Sequence, residues 1–169
     1  MSIVNDMTRA WVAPREVMRR QMAIATEPRN LMLTMLACLL AYVARLPEIA
    51  AIAVIEGDDA ATRQARFGAL FVSQVLMGPL VLYLFAGIAQ LAWRAFGGQG
   101  LYRDARLAIA WAAVVASPLV LIGGAFKVFA PNLVYTVAIG LTGVVFLWQW
   151  VVCLGEAQRA PAGETVQQS

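Results

Sequence analysis

The sequence contains no histidine, which removes the most common general base and metal ligand of proteins. It has only two cysteines, Cys38 and Cys153, and they lie in separate apolar runs without the close spacing of a metal or redox motif. Acid–base or metal chemistry would therefore need carboxylates or thiols. No nucleophile is paired with a base, so we expect a protein that is not an enzyme, with no catalytic residue, metal or cofactor.

Charged residues are also scarce. They make up 14% of the 169 residues, against roughly a quarter in soluble domains, whereas 61% of the residues are apolar. A water-soluble fold of this size could not bury so much apolar surface, so the surplus must face lipid. The basic residues form short groups between long uncharged runs, which indicates membrane topology rather than nucleic-acid binding.

Four long apolar runs predict an all-α membrane protein, a bundle of about four transmembrane helices over residues 30–155. The predicted spans cover about residues 31–53, 67–93, 107–126 and 133–154. Pro47 is expected to kink or end the first helix, so residues 46–56 form either the end of the first span or a separate outer helix. We expect a polar loop at residues 56–66 and a disordered cytoplasmic tail at residues 156–169.

The N-terminal segment, residues 1–29, has no secretory cleavage pattern and contains a predicted amphipathic helix at residues 14–25. One interpretation is a helix lying in the membrane interface and preceding the bundle. Its contacts with lipid headgroups would come from Trp11, Arg15, Arg19 and Arg20. The other interpretation is a cytoplasmic helix packed on loops of the bundle.

The distribution of basic residues predicts the orientation. One side of the membrane carries Arg9, Arg15, Arg19, Arg20, Arg29, Arg94, Arg103, Arg106 and Arg159, and the other carries Arg45, Arg63, Arg66 and Lys127. The side with more basic residues is normally cytoplasmic. We therefore expect a multi-pass protein of the cell inner (cytoplasmic) membrane with both termini in the cytoplasm.

Arg45 and Glu48 form the only predicted ionisable pair at membrane depth, and charges there are candidates for function. Arg45 lies near the outer boundary, however, where a long side chain reaches water, so the pair is also explained as a structural anchor.

Two breaks fall near the middle of spans, at Gly78-Pro79 and at Ser117-Pro118. Paired breaks are typical of transporter sites formed by discontinuous helices. Proline is also tolerated in membrane helices when the Ser117 hydroxyl or a neighbouring helix satisfies the freed carbonyl.

Small residues at helix-packing spacing predict close helix contacts. They are Ala108, Ala112 and Ala116 in the third span and Gly140 and Gly143 in the fourth. Polar side chains at Ser73, Gln74 and Thr142 are expected to form interhelical hydrogen bonds. The glycines at positions 97, 98 and 100 indicate a tight turn, since the lysine of a phosphate-binding loop is missing.

The stretch LVLYLFAGIAQLAWRAFGGQG, from Leu80 to Gly100, precedes an aromatic–arginine turn and the span with Ser117-Pro118. This pattern resembles the bacterial Yip1-domain family. The stretch PREVMRRQM, from Pro14 to Met22, resembles the short basic helix before the first span of those proteins. The resemblance covers about residues 14–155 and implies a multi-pass membrane protein without a catalytic residue.

The sequence departs from that family in having about four predicted spans rather than five and in lacking the long acidic N-terminal region of eukaryotic members. The GTPase contacts of those members are therefore not carried over. We expect a non-enzymatic membrane organiser or accessory subunit that contacts the lipid bilayer and a membrane-protein partner or a second copy of itself. The alternative is a small transporter or channel component, with its site at the two breaks and Arg45 as an anion contact.

Overall fold

The computed structural model of the protein describes residues 3–98, 100–129 and 132–159, and within these ranges every regular element is helical. The helices are α1 (Ile3–Ala10), α2 (Pro14–Ala23), α3 (Glu27–Ile55), α4 (Ala60–Phe71), α5 (Gly78–Ala95), α6 (Tyr102–Phe129) and α7 (Asn132–Ala157). A π-helical segment, Val72–Met77, joins α4 to α5. The predicted all-α bundle is confirmed.

Four helices in the described part of the chain are long and apolar enough to cross a membrane. They are Glu27–Ile55, Ala60–Ala95, Tyr102–Val128 and Leu133–Ala157. Each is longer than its predicted span because polar first and last turns, which carry no hydropathy signal, continue the same helix. The described chain is that of a membrane-embedded protein.

Several helix boundaries in the structure differ from those predicted from the sequence. Pro47 lies inside α3, which continues to Ile55, so residues 46–55 are the end of the first span and not a separate helix. The expected loop at residues 56–66 shrinks because α4 begins at Ala60, where the Asp59 carboxylate accepts a hydrogen bond from Thr62 N at 2.8 Å. Hydrogen bonding to the Thr62 side chain, and to this N–H, lowers the pKa of Asp59.

The end of the last span also differs from the prediction. Glu156 and Ala157, assigned from the sequence to the tail, belong to α7. The rest of the predicted tail, beyond residue 159, lies outside the described residues.

Helix α6 forms the centre of the bundle. In the most apolar part of α6, 61% of the residues are buried, against 17% to 22% in the other three spans. It contacts α3, α5 and α7, and its buried residues include Trp111 and Val114. The other three spans therefore pack around α6 and expose apolar side chains outward, as lipid-facing helices do.

The closest helix crossing joins α3 to α6. A Cβ atom placed on Gly124 would overlap the backbone carbonyl of Ala44. Nearby, a Cβ on Gly78 would lie 2.9 Å from the Cys38 sulfur, which fixes the spacing of α3 and α5. Glycine permits both approaches because it has no side chain.

The π-helical segment comes directly before Gly78-Pro79. Proline has no backbone N–H and cannot complete the regular α-helical ladder. Wider turns of this kind are common where a helix is interrupted. The sequence predicted a break here, and the structure places it one turn earlier than the Gly-Pro pair.

The short helices α1 and α2 pack at the end of the bundle where α7 ends, together with the turn between α5 and α6. We call this end the basic end, because it carries Arg9, Arg15, Arg19, Arg20, Arg29, Arg94, Arg103, Arg106 and Arg159. Long-range contacts join its parts: Arg106 binds Glu27 at 2.7 Å, and Gln149 donates to the carbonyl of Ala10 at 3.1 Å. The predicted grouping of these nine arginines at one end is thus present in the fold.

Candidate functional site

A cavity of about 500 Å³ lies at the centre of the bundle, between the middle turns of all four spans. We call it the mid-membrane cavity. Its walls are residues of all four spans and of the π-helical segment: Ala37, Cys38, Ala41, Ser73, Gln74, Gly78, Val81, Leu82, Ala113, Ala116, Ser117, Val120, Ile139, Thr142, Gly143 and Phe146. No charged side chain is among these walls, so the cavity suits an apolar or neutral occupant.

Two hydroxyl groups of the cavity wall are already used by their own helices. Ser117 Oγ donates to the Val114 carbonyl at 2.7 Å, and Thr142 Oγ1 donates to the Ala138 carbonyl at 2.8 Å. The Val114 carbonyl is the one that Pro118 leaves without an N–H donor, so the sequence-based expectation for Ser117 is confirmed. The interhelical bonds expected for Ser73 and Thr142 are replaced by bonds within their own spans, because Ser73 Oγ donates to the Leu70 carbonyl at 3.0 Å.

Helix α7 lies close to only one other span. Among the spans in the described residues, the backbone of α7 approaches α6 and does not approach α3, α4 or α5. The space between α5 and α7 is therefore a gap, which we call the lateral cleft. Gly143 lines the mid-membrane cavity on this helix, and no heavy atom lies within 4 Å of a Cβ built on Gly140 or Gly143.

A second cavity, of about 440 Å³, lies at the basic end. We call it the interfacial pocket. It is formed by the last turns of α5 and α7, the glycine turn and the start of α2, with the residues Arg15, Trp93, Phe96, Gly97, Gly98, Val151, Val152, Gly155, Glu156, Gln158 and Arg159. Unlike the mid-membrane cavity, it combines charged, aromatic and backbone polar groups.

Hydrogen bonds tie the glycine turn to the end of α7. Gln90 donates to the Gly100 carbonyl at 2.6 Å, and Gly100 N donates to Gln158 Oε1 at 2.9 Å. The Gln158 amide in turn donates to Gln90 Oε1. Gly97 has a φ of 87°, as expected for a tight turn, and Gln99 lies outside the described residues. The turn is a structural junction that ties α5 to the residue after α7.

The structure separates the residues predicted at the two breaks. Gly78 and Ser117 line the mid-membrane cavity, Pro79 is buried beside it, and Pro118 is exposed on the outer surface of α6. Arg45 and Glu48 pair at 3.7 Å near the opposite end of α3 and lie outside the cavity walls. The structure therefore does not bring Arg45 to the breaks.

The predicted packing residues divide into two groups. Ala108, Ala112 and Ala116 are buried inside the bundle, so this stripe of α6 is covered by the chain's own helices. That placement excludes it as a surface for a second protein. Gly140 is exposed and Gly143 is half-buried, and no helix packs on them.

The apolar face of α2 is also covered. Val17 and Met18 are fully buried against α6 and α7, and Arg19 binds Glu156 of α7 at 2.5 Å. Of the two interpretations of this helix, the structure favours packing on the bundle. The predicted headgroup contacts then remain for the exposed Trp11 and Arg15, because Arg20 pairs with Glu16 of its own helix.

Sequence reasoning missed several residues of these cavities. The side chains of Gln90 and Gln158 form a hydrogen bond although they lie 68 positions apart in the sequence. No local sequence pattern predicts such a pair. Cys38 lies in an apolar run, and its packing on Gly78 became visible only with the helix arrangement. The sequence signal for Gln90 is its amide side chain within an otherwise uncharged run. In such a run an amide without a hydrogen-bond partner is energetically unfavourable.

The fold and these cavities define a membrane-embedded helical bundle with a laterally open apolar chamber. In the part of the chain that the structure describes, no group of acidic, cysteine or histidine residues is arranged to hold a metal ion. Comparison with family models, with curated proteins and with solved structures gives no match.

Proposed function

We propose that this protein is a non-enzymatic membrane organiser or accessory subunit of Yip1-like type that acts through lipid and helix contacts at the lateral cleft. It resides in the cytoplasmic membrane with the basic end, and hence both termini, in the cytoplasm. The observation that supports this proposal is the one-sided attachment of α7. A spanning helix whose backbone approaches no other span than α6 leaves an apolar surface that something in the membrane must cover.

The chemistry of the adjoining mid-membrane cavity agrees with this role. Its walls are mostly aliphatic and small residues without charge, and α7 carries two glycines with open space above them. Such a surface accepts a lipid chain or a neighbouring helix by van der Waals contact.

Photo-crosslinking in native membranes tests the proposal. A photoreactive residue at Leu147, on the exposed side of α7, should give stoichiometric adducts with lipid or with a defined membrane protein. The matched control is Val54, which is exposed near the opposite end of α3, away from the cleft. Equal, nonspecific labelling at both positions, together with a partner-free monomer in mild detergent, would contradict the proposal.

A second candidate is a small transporter, favoured by the placement of Gly78 and Ser117 in one cavity. Because the walls carry no charge, its solute would be apolar or neutral, and Arg45 would not take part. Replacing Gly143 with leucine would fill the cavity from the α7 side, where no heavy atom lies within 4 Å of the Cβ position. Loss of solute flux with the bundle intact would then favour transport.

A further inference from the structure

The interfacial pocket and the lateral cleft lie along the same two helices. On α5, Val81 lines the mid-membrane cavity and Trp93 lines the interfacial pocket, with Phe85 and Ala89 between them at spacings of four residues. Residues at this spacing form a continuous row along a helix. The row spans twelve residues, about 18 Å.

The row on α7 has the same length and direction. Gly143 lines the mid-membrane cavity, Val151 and Gly155 line the interfacial pocket, and the exposed Leu147 stands between them. This row also spans twelve residues, about 18 Å, and both helices run toward the basic end. Half of the roughly 30 Å hydrocarbon core is about 15 Å, so the two rows match the depth of one lipid leaflet.

The charges of the basic end single out the interfacial pocket. Seven arginines of this end, all outside the pocket, have a partner among the described residues. Three pair with carboxylates of other helices, Arg20 pairs with Glu16 of its own helix, and the rest bind an amide, a neighbouring carboxylate or an aromatic ring. The contacts are Arg9 and Arg20 with Glu16, Arg19 with Glu156, Arg106 with Glu27, Arg29 with Gln21, Arg103 with Asp104, and Arg94 over Tyr102. Arg15 and Arg159 have no such contact with any described residue, and both line the interfacial pocket.

The remaining walls suit a phosphate at the membrane surface. Glu156 is the only carboxylate among them, and Arg19 neutralises it. The start of α2 has no side-chain cap, so its free N–H groups add positive potential beside Arg15. Trp93 and Phe96 are aromatic residues of the kind that lies at headgroup level.

We propose that the interfacial pocket and the lateral cleft together bind one anionic phospholipid of the cytoplasmic leaflet. The phosphate lies against Arg15 and Arg159, and one acyl chain follows the two rows toward the mid-membrane cavity. The inference rests on the proposed function and assigns the lipid that covers the cleft. A phosphodiester headgroup and an apolar chain are both required, because the site has a charged end and an uncharged end.

Binding of the lipid headgroup is tested by native mass spectrometry of the full chain, reconstituted in vesicles with equal amounts of phosphatidylglycerol and phosphatidylcholine. One phosphatidylglycerol should be retained per protein. Each arginine near a membrane surface contributes about 1 kcal/mol, so R15Q/R159Q should weaken retention about thirtyfold. The control R9Q/R20Q removes two charges from the same end outside the pocket and should retain the lipid.

Equal losses in both double variants would show a diffuse effect of charge and overturn the site, as would absence of selectivity in the parent protein. Excess inorganic phosphate should not displace the lipid, since phosphate has no chain for the cleft. Displacement by phosphate would show a simple anion pocket and overturn the lipid assignment.

Binding of the acyl chain in the cleft is tested with Gly143→Leu. This substitution places a side chain in the cleft, where no heavy atom lies within 4 Å of the Cβ position. Retention should fall severalfold while the preference for the anionic headgroup remains. Gly87→Leu is the matched control on α5, also with open space but outside both cavities. If G143L retains lipid like G87L, the chain does not occupy the cleft. A protein adduct at Leu147 without lipid selectivity would overturn this inference and leave the proposed function standing.

Discussion

Two glycine positions in neighbouring helices have opposite surroundings. At Gly124 of α6, the backbone of α3 comes so close that a single methyl group would overlap the Ala44 carbonyl. At Gly143 of α7, no heavy atom lies within 4 Å of the same added carbon. The α3–α6 crossing is a closed helix contact, and the α5–α7 side of the bundle is open.

The difference shows where this small bundle obtains its rigidity. Stability in lipid depends on packing and hydrogen bonds, because lipid tails are as apolar as the helices themselves. The α3–α6 crossing provides that packing, and α7 is held by α6, α2 and the glutamine junction at the basic end. The open side is then free to accommodate a membrane component.

The strongest test of this contrast is Gly124→Ala. The added methyl group must push α3 away from α6, and overpacking of a tight contact costs about 1 to 3 kcal/mol of unfolding free energy. Unfolding in mixed micelles, followed by circular dichroism during titration with sodium dodecyl sulfate, measures the loss. Gly123→Ala is the control, because no atom lies within 4 Å of its Cβ position. Equal stability of the two variants would contradict the closed crossing.

A smaller loss, about 2 kcal/mol, is expected for Gln90→Leu. The substitution leaves the buried Gly100 carbonyl and the Gln158 amide without their partner, and unsatisfied buried groups cost about 1 to 3 kcal/mol. The same titration measures the effect. Gln74→Leu provides the comparison, since the Gln74 side chain has no hydrogen bond with a described residue. A Q74L variant as unstable as Q90L would be inconsistent with the junction.

Ser117→Ala should cost about 1 kcal/mol, because it leaves the Val114 carbonyl unsatisfied in the wall of the cavity. Pro118→Ala restores the backbone N–H that this carbonyl lacks. The double variant S117A/P118A should therefore be more stable than S117A alone, and the two effects should not add. Additive losses would show that Ser117 does not replace the missing donor.

The smallest effect is expected on the open side. Gly143→Ala meets no neighbour, and alanine is favoured over glycine in helices by about 1 kcal/mol, so the variant should be as stable as the parent or slightly more stable. Thermal unfolding in detergent checks the sign. A clear loss of stability would mean that a helix of this chain packs on Gly143.

The sequence predicted the class of fold and the hydrogen bond from Ser117 to the carbonyl freed by Pro118, because both depend on local signals. Apolar runs of sufficient length specify spans, and a serine before a proline lies within one helical turn of the freed carbonyl. Helix ends were misplaced by several residues, and α1 was missed, since eight residues are too few for periodicity to decide.

Contacts between helices were less predictable. Gly124 and Gly143 look alike in the sequence, and only the arrangement of the spans shows that one touches Ala44 and the other faces a gap. For the same reason the sequence predicted close helix contacts for Ala108, Ala112 and Ala116, but not that these alanines are buried by helices of the same chain. The interfacial pocket is lined by residues far apart in the sequence, such as Arg15 and Arg159.

Oxygen accessibility of a spin label on α7 in lipid vesicles measures whether the lateral cleft is open. With the two native cysteines replaced, a label at position 147 should collide with oxygen as often as a label at Val137, an exposed position of the same helix. Equal accessibility is expected because both positions face lipid chains. A label at position 147 that is strongly protected, while the label at Val137 is not, would show that the α5–α7 side is closed.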